Sequence, residues 1–202
     1  DDTLLITGCA GHGDLHSGVG FAAALKVVVE GGHVQNEDPT FAVQNANAIT
    51  IFVCVQTDYN FANPSECLTE NLSAAVIDGV EKISQKKYTD VRSDHVADHQ
   101  GYFNRCSFSL GEDTLDHIPT DQRLAVFAEQ TDLALLALYF NYGRYLTICD
   151  SRPKSLCANL QGVWNQEYEA PWNSDYHINI IFKMIYWLAE LVGLSDCHEP
   201  FL

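Results

Sequence analysis

Cationic side chains are scarce in this 202-residue sequence: 11 Lys and Arg stand against 27 Asp and Glu, a formal net charge of −16. A chain this acidic repels phosphate backbones and anionic headgroups, which are bound through clustered cations, so nucleic acid and membrane surfaces are not expected as partners. Long hydrophobic runs are missing too. No apolar run of about eighteen residues occurs, which leaves no transmembrane helix. Asp1 to Thr7 carry neither an initiating Met nor a basic leader, so they do not read as a signal peptide and the chain is expected to be processed or truncated. Cysteine pairs at zinc-knuckle spacing are absent. Cys9, Cys54, Cys67, Cys106, Cys149, Cys157 and Cys197 are also too few for a disulfide scaffold, and most are expected to be buried thiols. G-x-G-x-x-G, G-K-[ST] and G-x-S-x-G do not occur, so a phosphate loop and a serine nucleophile elbow find no support. Repeats of solenoid length and low-complexity tracts are lacking as well.

Apolar residues make up 47% of the chain, aromatics 11% and charged residues 19%, enough to bury a core. Residues 1 to about 60 read as β-structure. Phe21, Ala23, Leu25, Val27 and Val29 share one face of an extended segment with Lys26 and Glu30 opposite, and Gly31-Gly32 supplies a turn for a hairpin. Ile49 to Thr57 is a second β-branched run, set off from Phe41 and Val43 by Gln44-Asn45-Ala46-Asn47, as antiparallel strands of a sandwich or layered sheet require. At Asn63-Pro64-Ser65 the period changes. Leu68, Leu72, Ala75, Val76, Val80 and Ile83 recur at helical spacing, with Pro64 suited to a helix start. Ser84 to Asn104 is polar, anchored only by Val91, Val96 and Phe103, and reads as a helical linker. Leu133 to Ile148 is apolar nearly all round, so that helix is expected to be enclosed by others. A last helical pattern runs through Ile178, Ile181, Phe182, Ile185, Ala189 and Val192. Asn71-Leu72-Ser73 is the single usable glycosylation sequon and points to an extracellular or secreted protein.

The chemistry concentrates near the carboxyl end. Trp164, Trp172 and Trp187 fall in one window with Asn159, Gln161, Asn165, Asn173, Asp175, His177 and Asn179. Indoles stack on the apolar C–H faces of sugars while amides and carboxylates bond hydroxyls, so the mixture suits a neutral, hydroxylated substrate. The same composition arises when tryptophans pack between a loop and two helices and the polar residues cap helix ends. In an extended conformation His177, Asn179, Ile181 and Lys183 share one side; in a helix, Ile178, Ile181, Phe182 and Ile185 form a core stripe instead. His95 and His99, a helical turn apart beside Asp94 and Asp98, have a spacing that could hold a metal but also that of an exposed helix, and His12 and His16 are weaker still. No metal and no cofactor are expected.

Several stretches together resemble glycoside hydrolase family 95, the inverting α-L-fucosidases: Tyr142-Gly143-Arg144-Tyr145-Leu146, Ser151-Arg152-Pro153, Ala158 to Asn165, Pro171 to Ile180, and Cys197-His198-Glu199-Pro200. More loosely, Phe21 to Gln35, Thr57-Asp58-Tyr59, Asp98-His99-Gln100 and Phe103-Asn104-Arg105 are similar to the end of that family's β-domain and its linker. The resemblance implies a multi-domain α+β chain. Residues 1–62 would be the C-terminal part of an antiparallel β-sandwich, 63–112 a helical linker, and 113–202 the first helices of an (α/α)6 barrel. Twelve helices of roughly eleven residues with their loops need far more than the residues after the linker, so the toroid would be truncated.

The implied chemistry is hydrolysis of a terminal α-linked L-fucose with inversion, on a fucosylated oligosaccharide or glycan. In this family an Asn polarised by an Asp positions the water and a Glu is the acid. The family segment resembles D-Y-H-x-N-I-N-x-x-M-N-Y-W-P-A-E. His177 and Asn179 match its site-lining His and first Asn, and the sugar site would be completed by Trp172, Trp164 and Asn165. The water-activating Asn is replaced by Ile181, which can neither donate nor accept a hydrogen bond. Ile185 and Leu188 also depart from the usual Asn and Pro. The acid Glu and assisting Asp are expected beyond Leu202, whereas Asp175, Glu190 and Glu199 are read as helix-end and structural residues. A divergent inactive relative, a homologue with rearranged chemistry and an Asn-to-Ile error in the sequence all fit these departures, and the 202-residue chain itself is expected to be inactive. A non-catalytic carbohydrate-binding or assembly protein of the same fold, and an α-L-galactosidase within the family, are the alternatives.

Overall fold

In a computed structural model the chain is described over residues 2–11, 18–37 and 39–202, and His12 and His16 lie outside the described residues. It combines antiparallel sheet with helices in two compact units, Asp1–Ser93 and Asp94–Leu202. The coarse α+β expectation holds. Among the described residues no helix is long and apolar enough to cross a membrane.

In the first unit β1 (Thr3–Ala10), β2 (Val19–Glu30) and β5 (Ala48–Thr57) form one antiparallel sheet in the order β1-β2-β5. β3 (His33–Glu37) and β4 (Thr40–Gln44) pair with each other in a separate two-stranded ribbon. Gly31 and Gly32 do turn the chain, at φ 70° and 62°. The hairpin expected there does not form, because the hydrogen-bonded partner of β2 on that side is β5, with Lys26 opposite Phe52 and Val27 opposite Ile51.

The core also lies on an unexpected face. Ala22, Ala24 and Phe52 are buried against Val76 and Val80 of α1 (Leu72–Ser84), and on the alternate face Val27 is buried while Phe21, Ala23, Leu25 and Val29 are only half-buried. The cause is size. Alanines let the helix approach closely, and at Gly79 an added Cβ would come within 2.7 Å of Cys54 Sγ. Lys26, on the same face, reaches past the helix to Glu81 Oε1 at 2.7 Å. Opposite, Ile49, Ile51, Val53 and Val55 remain more than half exposed.

The helix does not start at Pro64. It starts at Asn71, whose side-chain oxygen accepts the Ala74 N–H at 3.1 Å, and residues 61–71 are irregular. A cap satisfies an amide that Pro cannot, so Asn71→Ala is expected to lower stability by about 1 kcal/mol, read as a shift of the urea midpoint. α2 (Tyr88–Phe103) buries no residue, in keeping with its polar sequence.

In the second unit α3 (Thr120–Ala125) and α4 (Leu133–Asp150) are joined by a buried ion pair. Arg123 donates to both oxygens of Asp132, at 2.8 and 2.9 Å, and Asp132 also caps α4 by accepting the Leu135 N–H at 2.9 Å. The Arg123 guanidinium holds the Asp132 carboxyl below the usual carboxylate range. α4 is buried on one side only: Leu135, Ala137, Arg144, Thr147 and Ile148 face inward. Leu136, Leu138, Tyr139 and Tyr142 line an open apolar groove of about 660 Å³, so the enclosure expected for this helix is not provided by the described residues. α5 (Ile180–Tyr186) and α6 (Ser195–His198) complete the unit. Ile148, Ala189, Val192, Leu194 and Cys197 form one core cluster, and Ala158, Phe182 and Tyr186 another. Of the seven thiols only Cys197 is buried, contrary to expectation.

Candidate active site and sugar-binding surface

Residues 158–164 form a tight turn, closed by Gly162 N–H donating to Asn159 O at 3.0 Å and Gln161 N–H donating to Asn159 Oδ1 at 2.9 Å. Its entry is pinned to α5: Ala158 N–H donates to the Tyr186 hydroxyl at 2.7 Å, which also bonds Ser151 Oγ at 2.8 Å. Ser151 in turn donates to Cys197 O at 2.7 Å. The buried polar groups therefore tie the end of α4, the turn, α5 and α6 into one network, which is why a loop this polar has a fixed path. The turn also carries the next segment. Leu160 N–H donates to Asp175 O at 3.3 Å, Gln161 Nε2 donates to Pro171 O at 3.3 Å, and the Ser174 hydroxyl bonds Gln161 Oε1.

Pro171–Ser174 makes a 3-10 turn whose last three residues, Trp172, Asn173 and Ser174, all have left-handed φ, from 52° to 56°. Three consecutive non-glycine residues there are strained, a state usually kept where the geometry is used. The turn presents the Trp172 indole, 75% exposed, edge-on to the His177 ring, with centroids 5.7 Å apart and planes at 89°. Asp175 Oδ1 lies 2.5 Å from His177 Nδ1. That contact lacks hydrogen-bond directionality, since Nδ1 is buried without a bond of proper geometry, and it is read as electrostatic pairing that orients the ring.

Neither conformation weighed for 177–185 is adopted throughout. Ile178 and Asn179 form a turn, Asn179 itself with extended dihedrals, and the helix begins at Ile180 because Asn179 Oδ1 accepts the Ile181 N–H at 3.0 Å. Phe182 is buried and Ile185 half-buried, as a core stripe demands, but Ile178 and Ile181 are exposed, Ile181 to 47%. Position 181 thus opens to the surface one residue inside the helix, and any polar residue there could reach solvent or a ligand.

The structure brings Trp172, Asp175 and His177 together, with Asn179 at the helix start just beyond. Among the described residues Trp164 is 48% exposed and Trp187 72%, so neither indole packs into a core there. Asn165 is turned onto its own loop, donating to Glu167 O at 2.6 Å and accepting the Glu167 N–H at 3.3 Å. Glu190 accepts from Ser195 Oγ at 2.6 Å and pairs with His198 Nδ1 at 2.8 Å, which holds its carboxyl below the usual range. Its duties are structural. Of the residues considered for a metal, His99 stacks on Phe103 at 5.3 Å and Asp98 Oδ2 binds Arg152 at 2.5 Å. Among the described residues no group of three or more His, Cys, Asp or Glu comes together as metal ligands would.

Asp150 is the residue that sequence reasoning passed over. It ends α4, lines a hollow of about 320 Å³ with Asn159, Gln161 and Trp164, and burial pushes its carboxyl up to about 6. One signal was present: an acidic residue at the C-terminal end of an apolar helix, where the macrodipole disfavours negative charge. Below the ordinary carboxylate range Asp150 is protonated folded and unfolded alike. As pH rises through that range to about 6 only the unfolded chain gives up the proton, so stability falls. Tyr186 and Cys157 are raised by burial and Cys197 is pushed up to about 11, so these neighbours stay neutral across the window. Asp150→Asn is expected to gain stability relative to the parent chain between about pH 4 and about pH 7, as urea midpoints at the two ends would show.

A model of the glycosyl hydrolase family 95 catalytic domain matches residues 87–202. Alpha-L-fucosidase 2 of Arabidopsis thaliana is 32% identical over 196 residues, covering 93% of this chain and 23% of that protein. The probable alpha-fucosidase A of Aspergillus niger is 38% identical over 133 residues, 65% of this chain and 17% of its own length. Its counterpart from Aspergillus oryzae is 35% identical over 147 residues, 69% of this chain and 19% of its own length. The chain thus spans about a fifth of the length of the curated relatives it matches. With more than half of its residues matched to that catalytic domain, the chain belongs to glycosyl hydrolase family 95.

Proposed function

We propose that the chain is a portion of a glycoside hydrolase that removes terminal α-linked L-fucose from glycans with inversion of configuration. The observation that carries this reading is the pairing of Trp172 with His177 beside the Asn179-capped start of α5, an exposed indole next to hydrogen-bonding groups. An indole covers an apolar sugar face, and the imidazole and amide bond hydroxyls. The fucosidases it matches supply the sugar class.

In an inverting glycosidase an acid protonates the leaving oxygen while a base activates water across the ring, the two roughly 6.5–9.5 Å apart. In this proposal the acid and the group assisting the base come from polypeptide outside these residues. His177 and Asn179 hold the sugar, and position 181 is where the water would be oriented. The apolar sheet face of Ile49, Ile51, Val53 and Val55 is compatible with one half of a β-sandwich, and the open groove along α4 with the first helices of an (α/α)6 barrel whose later helices would fill it. The exposed sequon at Asn71 supports a secreted location.

An aliphatic side chain at 181 favours one further reading, a protein of this fold that binds fucosides without cleaving them. Calorimetry on full-length protein with methyl α-L-fucoside tests the shared part of both. Saturable binding that His177→Ala weakens at least tenfold is expected. Binding indifferent to His177 would remove the site.

A further inference from the structure

The hollow at the end of α4 is built for a ligand of its own. Asp150 Oδ1 is buried and has no hydrogen-bond partner. A Cβ on Gly162 would lie 2.9 Å from Asp150 Oδ2 and 2.9 Å from the Trp164 ring, so the glycine keeps open a gap flanked by a carboxylate on one side and an indole on the other. Oxygen and ring are thus no more than twice that distance apart. Asn159 and Gln161 add amide groups to the same wall, while Met184, Ile185 and Leu188 make the floor apolar. The turn is tied down by the Tyr186 hydroxyl and by Pro171, so the arrangement is set before any ligand arrives. A carboxylate oxygen left without a partner in a partly apolar cleft costs stability unless something bonds it. The hollow is lined by none of Trp172, His177 or Asn179, and its volume of about 320 Å³ is at the small end of ligand sites, suited to one sugar ring.

We propose that this hollow is a second pyranose-binding subsite, in which the Trp164 indole stacks on a C–H face of the ring and Asp150 Oδ2, beside Gly162, accepts a hydrogen bond from a ring hydroxyl. The subsite rests on the carbohydrate reading above and extends it to a second sugar residue of the glycan. A bond from a hydroxyl to a carboxylate oxygen is charge-assisted and roughly twice as strong as a neutral one. Indole plus carboxylate would also hold an organic cation, but Asn159 Nδ2, which can only donate, favours a hydroxylated ligand.

The test is a titration of the 202-residue chain with L-fucose, with D-galactose and with tetramethylammonium, following the three indole N–H resonances by NMR. The Trp164 resonance is expected to move saturably with at least one sugar. Asp150→Ala should weaken that response about tenfold, and Asp150→Asn, which keeps the shape and so controls for misfolding, should weaken it less. His177→Ala should leave it unchanged. A sugar response confined to Trp172 overturns the subsite and leaves the His177 surface standing. A Trp164 response indifferent to both Asp150 variants, or given only by tetramethylammonium, also overturns it. Silence of all three indoles overturns the subsite, whereas the fucoside reading stands or falls by the calorimetry on full-length protein.

Discussion

Ile181→Asn in the full-length protein is expected to raise release of L-fucose from a terminal α-linked fucoside by roughly 100- to 10,000-fold, the range that a positioned proton acceptor contributes. The structure makes this substitution inexpensive. Ile181 is half exposed at the first turn of α5, and the contact that organises that turn runs from its backbone N–H to Asn179 Oδ1, which any residue at 181 preserves. An amide there adds both a donor and an acceptor where the aliphatic chain offers neither. The parent protein is expected to bind the fucoside without turnover, and the first sugar released by the variant should be the β-anomer, as inversion requires. Equal rates from parent and variant would remove position 181 from the water-orienting role. Release of the α-anomer would remove inversion.

Arg144→Ala is expected to cost about 2–5 kcal/mol of stability in the second unit, the range for truncating a large buried side chain. Arg144 is fully buried. Its guanidinium donates to Phe103 O at 2.6 Å and to Asn141 Oδ1 at 3.1 Å and lies over the Phe103 ring at 4.6 Å. Truncation removes all three contacts, leaves the part-buried Phe103 carbonyl without this donor and opens a cavity beside α4. Urea unfolding followed by tryptophan fluorescence measures the loss, since all three indoles sit in this unit. Arg144→Met fills much of the volume and should lose less. A loss under about 1 kcal/mol for the Ala variant would mean that packing alone fixes α4 and that the Arg is incidental.

Several elements could be read from residues because their signal is local. The β-branched run of β5, the glycine turn after β2 and the apolar length of α4 each follow from propensity and spacing within a dozen residues. The family could be read as well, since Tyr142-Gly143-Arg144, Ala158 to Asn165 and Pro171 to Ile180 are contiguous strings. The failures were of another kind. Asn71 took the helix start from Pro64 because a side-chain acceptor for an unpaired amide outweighs a residue that merely tolerates the position. β2 paired with β5, because pairing is a contest between segments that spacing does not rank.

What the sequence by itself determined is chemistry that stays with a residue wherever it goes. The acidity, the aromatic and amide mixture, and the inability of Ile181 to bond water required no fold. Tertiary structure decided which groups meet. It set the Trp172 edge against His177 through three left-handed residues, and exposed the indoles that composition could have buried. It also placed the Asp150 carboxylate across a glycine gap from Trp164. Burial and long-range contact depend on the sum of many weak packing terms over the whole chain, so no short stretch of sequence carries them.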